Sequence, residues 1–211
     1  MLAKLPIAKE FGRRFAHAAH RARLALREGR AEQEPAVTDR MIASIEAEFD
    51  TPERDRFYWS AKTLTDRGRG SQESKHGADF LGVLRINIDG FRIAKGFLAQ
   101  AKLSSRNSSV DQRALADQCR KMLRLSPASF VFVYSDDDFR VIPAISVLAG
   151  SGNLQDHYTR GIQRFFEEHI ECFIGDSSIS TATPLGLEQL AKKADVRTAF
   201  YVTVADEPNF E

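Results

Sequence analysis

Cysteine is scarce in this sequence. Only Cys119 and Cys172 occur, set among apolar residues without paired spacing. No disulfide framework is indicated, and reduced thiols in a cytoplasmic protein are expected. Net charge is also nearly absent, with 30 Lys and Arg against 29 Asp and Glu. That balance gives no overall attraction to a polyanion. No apolar run approaches the roughly 20 residues of a membrane helix, so no membrane partner is expected. Lys4, Lys9, Arg13 and Arg14 interrupt the apolar residues at the start, which argues against a secretory signal. Internal repeats, low-complexity tracts and Gly/Ser linkers are missing as well. What remains is 211 residues, 43% hydrophobic and 28% charged, an ordinary composition with enough chain to bury a core.

The balanced total hides a polarised chain. Residues 1–31 carry eight basic residues and two acidic ones, Glu10 and Glu28. Phe11, Phe15, Ala18, Ala22 and Leu26 recur at three- and four-residue steps, which predicts an amphipathic helix over about 7–30. Such a helix either docks on the protein with its basic face in solvent, or serves as a basic arm for phosphate or a partner, with Arg13 and Arg14 as nucleic-acid contacts. The chain accordingly divides into a basic helical arm, 1–31, and a single α/β domain, 32–211.

In that domain a second helix opens at Pro35 and Thr38, buries Met41, Ile42, Ile45 and Phe49, and closes at Asp50-Thr51-Pro52. A strand is predicted over 57–64, with Tyr58 and Trp59 as core, then a polar loop, 66–76. Strands over 79–88 and 91–103 flank Asp89-Gly90, a two-residue hairpin signal. A helix over 110–124 follows, then strands over 130–134 and 139–147, helices over 158–174 and 185–193, and a strand over 198–204. This order predicts an α/β fold with a mixed central sheet flanked by helices.

The hairpin carries the chemistry. With Asp89-Gly90 as the turn, Ile88 faces Phe91 and Asp79 falls opposite Gln100; Lys102 lies two residues further on the same face. The other face takes Phe80, Leu84, Ile86, Phe97, Ala99 and Leu103, with Lys95 as the exception. One face is thus read as core and the other as a cluster of acid, amide and amine. Gln and Lys in an otherwise apolar strand cost stability unless they have partners. A carboxylate and a divalent cation are such partners. Mg²⁺ or Mn²⁺ takes oxygen ligands, here Asp79 and the Gln100 carbonyl. Lys102 is placed to orient or deprotonate water, or to stabilise charge developing on a phosphate.

Gly77-Ala78-Asp79-Phe80, the hairpin, Gln100-Ala101-Lys102, a helix and an apolar strand together resemble the PD-(D/E)XK, or restriction-endonuclease-like, nucleases, in the variant with Gln at the second acidic position. The resemblance covers roughly 34–145. It implies a restriction-endonuclease-like sheet and a metal-dependent nuclease cutting DNA, double-stranded DNA before RNA. It further implies a role in prokaryotic antiphage defence, with a protein partner or a second copy controlling activity. A helix before the sheet usually adds one acid; Glu34 and Glu48 are the candidates for that catalytic position, ahead of Glu46, with Glu34 as a metal ligand. Glu73 is a weaker candidate. Arg67, Arg69 and His76 are read as nucleic-acid contacts, and Gln118, ahead of Gln112, as an assisting polar residue. Asp136 to Asp138 read as an acidic turn, and His157, His169 and Cys172 lack zinc spacing. Gln100 in place of an acid removes a negative charge, so the alternatives are an inactive scaffold subunit with the nuclease fold or an RNA-cleaving enzyme.

Overall fold

The computed structural model describes residues 4–49, 57–65, 75–88, 90–105, 108–150, 153–181 and 183–206. Chain order is α1 (Lys4–Arg27), α2 (Glu34–Phe49), β1 (Tyr58–Thr65), β2 (Phe80–Ile88), β3 (Phe91–Leu103), α3 (Ser109–Leu125), β4 (Ser129–Tyr134), β5 (Phe139–Pro143), α4 (Ala144–Ala149), β6 (Arg160–Gly161), α5 (Ile162–Ile170), α6 (Pro184–Ala194) and β7 (Thr198–Ala205). Among the described residues one mixed sheet runs in the order β1-β7-β2-β3-β4-β5-β6. The β2–β3 hairpin is antiparallel, and β7 and β4 lie parallel to β2 and β3, respectively.

Both sheet faces are covered. On one, α1, α2 and α5 bury an aromatic core in which Phe15 stacks on Phe166 with centroids 3.5 Å apart and Phe97 contacts Phe80, Phe130, Phe132 and Phe165. Each fully buried phenylalanine contributes about 1.5–3 kcal/mol. On the other, α3, α4 and α6 pack Leu115, Met122, Val147 and Leu187 against Leu81, Val83, Leu98 and Val131. The second hairpin face is therefore partly core as well, and the polar cluster occupies only its end.

The stripe of α1 lies in the aromatic core with α2 and α5. Gly12 marks the crossing of α1 and α5, where a Cβ would come within 2.6 Å of the Gln163 carbonyl oxygen. Its basic residues are largely tied into the chain. Arg21 pairs with Glu48, and Arg23 donates to the carbonyls of Asp136 and Asp137.

Two element boundaries differ from the sequence reading. The strand expected over 139–147 ends at Pro143, which caps α4; Ala144 and Val147, three residues apart, then bury a helical face. The helix expected over 158–174 spans Ile162–Ile170, because Arg160 and Gly161 pair with β5 before it and Cys172, at φ 67°, follows it. Helix α3 opens as the polar break predicts: Ser108 accepts from the Asp111 N–H, and Asp111 accepts from the Ser108 N–H, a capping box.

Candidate active site

β3 outruns β2. Asp79, just before β2, makes the last backbone contact, its N–H donating to the Ala99 carbonyl at 2.8 Å. Beyond it, among the described residues, the N–H groups of Ala101 and Leu103 have no strand to pair with on that side, and buried N–H groups need acceptors. Two carboxylates supply them. Asp79 Oδ2 accepts from Ala101 N–H at 2.8 Å, and Glu34 Oε1, from the first turn of α2, accepts from Leu103 N–H at 3.0 Å. The sheet overhang thus draws two acids to one strand end.

Gln100 completes the hairpin relationship. The Phe80↔Ala99 pairing, extended by one residue, sets Asp79 opposite Gln100, and Gln100 Nε2 donates to Asp79 Oδ2 at 2.5 Å. The same Nε2 lies 3.2 Å from the Ala101 carbonyl oxygen, so the nitrogen is the atom turned toward the acid. Gln100 is 3% exposed, and its Oε1 is buried without a hydrogen-bond partner among the described residues. A buried, unpaired amide oxygen is costly and is the donor type a hard cation takes.

The charges follow from this geometry. Part of the Asp79 surface remains open, but protein surrounds most of the carboxyl. That desolvation, with a smaller push from Glu34, raises its pKa to about 6 against the opposing pull of the Ala101 N–H, Lys102 and Arg197. Lys102, half-buried, thus acts on the same carboxylate. On its other side lies α3, where burial pushes the Cys119 thiol up to about 12 against the pull of Lys102 and Arg120.

Gly77 sets the approach to Asp79. At φ 74° it is in the left-handed region, and a Cβ there would meet the Gln118 carbonyl oxygen at 2.6 Å and Cα at 2.7 Å. The turn is pressed onto α3, and the Lys75 N–H donates to Asp195 at the end of α6. Gln118 is buried on α3 beside this turn. His76 is half-buried in it.

The other expected residues are distributed as follows. Glu48 lies near the far end of α2, about 21 Å along the helix from Glu34, where it pairs with Arg21 at 3.0 Å; it does not join Asp79. Glu46 accepts from the Thr63 hydroxyl. Arg14, expected as a nucleic-acid contact, is instead 2% exposed, donates to Glu10 and the Glu48 carbonyl, and lies 4.9 Å from the Trp59 ring. Arg13 is exposed but bonded through two nitrogens to Glu10. Arg67, Arg69 and Glu73 lie outside the described residues.

Sequence reasoning missed Arg197 and Tyr134. Parallel pairing of Phe80 with Thr198 places Arg197 beside Asp79, and a residue just before the last strand carries no local mark of that. Tyr134, fully buried, shares a hydroxyl contact of 3.0 Å with Thr38. Burial raises its pKa, and Asp79, Glu34 and Asp39 raise it further.

Among the described residues no three His, Cys, Asp or Glu side chains gather as a metal site; the cluster here is two carboxylates and an amide. No helix of the described residues is long and apolar enough to cross a membrane. Compared with known proteins, the chain matches no family model, no curated protein and no solved structure.

Proposed function

We propose that the protein is a metal-dependent nuclease acting on DNA, with its active site at the overhanging end of β3. The observation that carries this reading is the meeting of Asp79, Glu34 and the unpaired Gln100 Oε1, with Lys102 acting on the same carboxylate. The donor set fits Mg²⁺ or Mn²⁺: all three groups present oxygen, and a desolvated carboxylate and an orphaned amide oxygen both gain from a cation. With two carboxylates rather than three, water and substrate phosphate would fill the remaining positions. The metal, when bound, supplies Lewis-acid polarisation of the phosphate and an acidified water. Asp79 and Glu34 are held in place by the β3 N–H groups, so their orientation costs little reorganisation. Lys102 positions the attacking water or offsets charge on the phosphate.

The β2-β3-α3-β4 arrangement, a hairpin followed by a helical crossover to a parallel strand, supports assignment to the restriction-endonuclease-like fold. A defence role and a controlling protein partner follow from the resemblance of Gly77-Ala78-Asp79 and Gln100-Ala101-Lys102 alone.

The test is cleavage of supercoiled and linear DNA, and of RNA in parallel, with Mg²⁺, Mn²⁺ or EDTA. Wild-type protein should cut DNA only with metal. Lys102→Ala should lose at least a hundredfold of the rate while keeping its circular dichroism spectrum and melting temperature. Equal cutting by both proteins would overturn the mechanism. Preferential RNA cutting would change the substrate class. The absence of cation binding by calorimetry, even with nucleic acid present, would favour the non-enzymatic scaffold, which the missing acid at position 100 also suggests.

A further inference from the structure

We propose that Tyr134 is a positioning residue for the candidate metal site: bonded to Thr38, it fixes the first turns of α2 and so holds Glu34 at the end of β3. The inference rests on the metal-dependent reading above and names what sets its second carboxylate.

Sequence and register define the arrangement. Phe130, Phe132 and Tyr134 alternate along β4 onto the face covered by α1, α2 and α5. The first two are phenylalanines; a hydroxyl appears only at the last, where the strand nears the acids. Tyr134 aligns with Leu103 on β3, the residue whose N–H is taken by Glu34. Glu34 and Thr38 are four residues apart on α2, so they share a face one turn from each other. The helix is thus tied to neighbouring strands at successive turns. Glu34 accepts from the Leu103 N–H at 3.0 Å, and Thr38 Oγ1 shares a hydrogen bond of 3.0 Å with the Tyr134 hydroxyl. A third tie falls on the other side of the hairpin. The Thr198 hydroxyl on β7 donates to Asp39 Oδ1 at 3.2 Å, and Thr198 pairs with Phe80, next to Asp79. In the sheet order β7-β2-β3-β4, α2 is therefore pinned on both sides of the strands that carry Asp79 and Gln100.

Burial turns these ties into a constraint. Tyr134 is fully buried and Thr38 is 3% exposed. A buried hydroxyl that loses its partner is costly, so the pair resists sliding or rotation of α2. The tyrosine end of the pair is fixed by β4. Its ring packs on Phe139 with centroids 4.5 Å apart, and its carbonyl accepts from the Ser104 N–H at 2.8 Å. A phenylalanine would fill the same core space; the hydroxyl adds only the bond to Thr38. Burial, and after it the charges of Asp79, Glu34 and Asp39, raise the tyrosine pKa. The pair therefore stays a neutral hydrogen bond, and the hydroxyl lies within the field of the acids it helps to place.

Differential scanning fluorimetry in EDTA and across a Mn²⁺ titration, without DNA, reads stability and metal binding apart from cleavage. Wild-type protein should be stabilised by Mn²⁺. Tyr134→Phe keeps the ring but strands the Thr38 hydroxyl. It should melt lower in EDTA and need about tenfold more Mn²⁺ for the half-maximal rise. Tyr134→Phe combined with Thr38→Val removes both hydroxyls. Its melting temperature in EDTA should recover most of the loss, while its Mn²⁺ midpoint stays raised. A bond that served the core alone would let both quantities recover together. The proposal is overturned if Tyr134→Phe keeps the wild-type midpoint, if the double variant restores it, or if wild-type protein shows no Mn²⁺-dependent rise. Protein that behaves as expected with Mn²⁺ but cuts no nucleic acid would remove the nuclease reading and leave the positioning role standing.

Discussion

Gln100 donates its amide nitrogen to Asp79 across the hairpin, and the same contact leaves its amide oxygen buried without a partner. The nitrogen helps hold a desolvated carboxylate; the oxygen is the atom that the proposed function assigns to a cation. Two substitutions separate these functions. Gln100→Leu should abolish cleavage and any rise in melting temperature on adding Mn²⁺. Gln100→Glu should lower stability without metal, because it sets a second carboxylate against Asp79, yet show a larger Mn²⁺-induced rise than wild type. Differential scanning fluorimetry with and without Mn²⁺ checks both.

The two ends of α2 should behave differently. Glu34→Gln retains an oxygen for the Leu103 N–H, so the fold should survive while cleavage falls at least tenfold. Glu48→Gln weakens contacts with the exposed side chains of Arg21 and His17, so cleavage should be unchanged and stability should fall by about 0.5 kcal/mol. Equal losses of activity in the two variants would remove Glu34 from the site.

Gly77→Ala should disturb structure and activity together. The left-handed backbone alone costs about 1–3 kcal/mol for a non-glycine residue, and the contact with the Gln118 backbone adds to it. Urea denaturation should show this loss, and the cleavage rate should drop because Asp79 lies two residues on.

Neighbouring arginines on α1 should separate packing from charge. Arg14→Ala removes a buried guanidinium and its bonds to Glu10 and the Glu48 carbonyl, at a cost of about 2–3 kcal/mol. Arg13→Ala should stay within about 0.5 kcal/mol. Thermal melts of the two variants distinguish these outcomes.

His169 gives a pH dependence away from the candidate site. It is 1% exposed; burial and then the charge of Lys95 lower its pKa to about 3, with the Lys95 backbone pulling weakly the other way. The Lys95 ammonium is itself held by the Ile174 carbonyl at 2.9 Å. The unfolded imidazole titrates near 6.5. Between these values the unfolded chain binds a proton that the native state refuses, so this contribution is complete above about pH 6.5 and is lost as pH falls. The difference in stability between wild type and His169→Phe should therefore change by about 1.4 kcal/mol per pH unit over that window. A constant difference would show that the imidazole is not kept neutral.

The hairpin was legible because strand register is arithmetic: Asp89-Gly90 fixes the pairing, and Asp79 must then oppose Gln100. The apolar periodicities of α1, α2 and α3 were legible for the same local reason. Less legible were elements whose ends depend on neighbours. Residues 144–147 continue the hydrophobic run of β5, yet Ala144 and Val147 reach the core together only as a helix after Pro143. The choice among upstream acids lay beyond sequence too, since Glu34 and Glu48 differ in where α2 meets the end of β3. By itself the sequence determined the register of the hairpin, and with it the pairing of acid and amide. Tertiary structure alone decided that β3 overhangs β2, that Glu34 and Asp79 take its two unpaired N–H groups, and that Arg197 arrives beside them. Hydrogen-bond demand at a strand end is created by distant segments meeting, and no local window of residues encodes it.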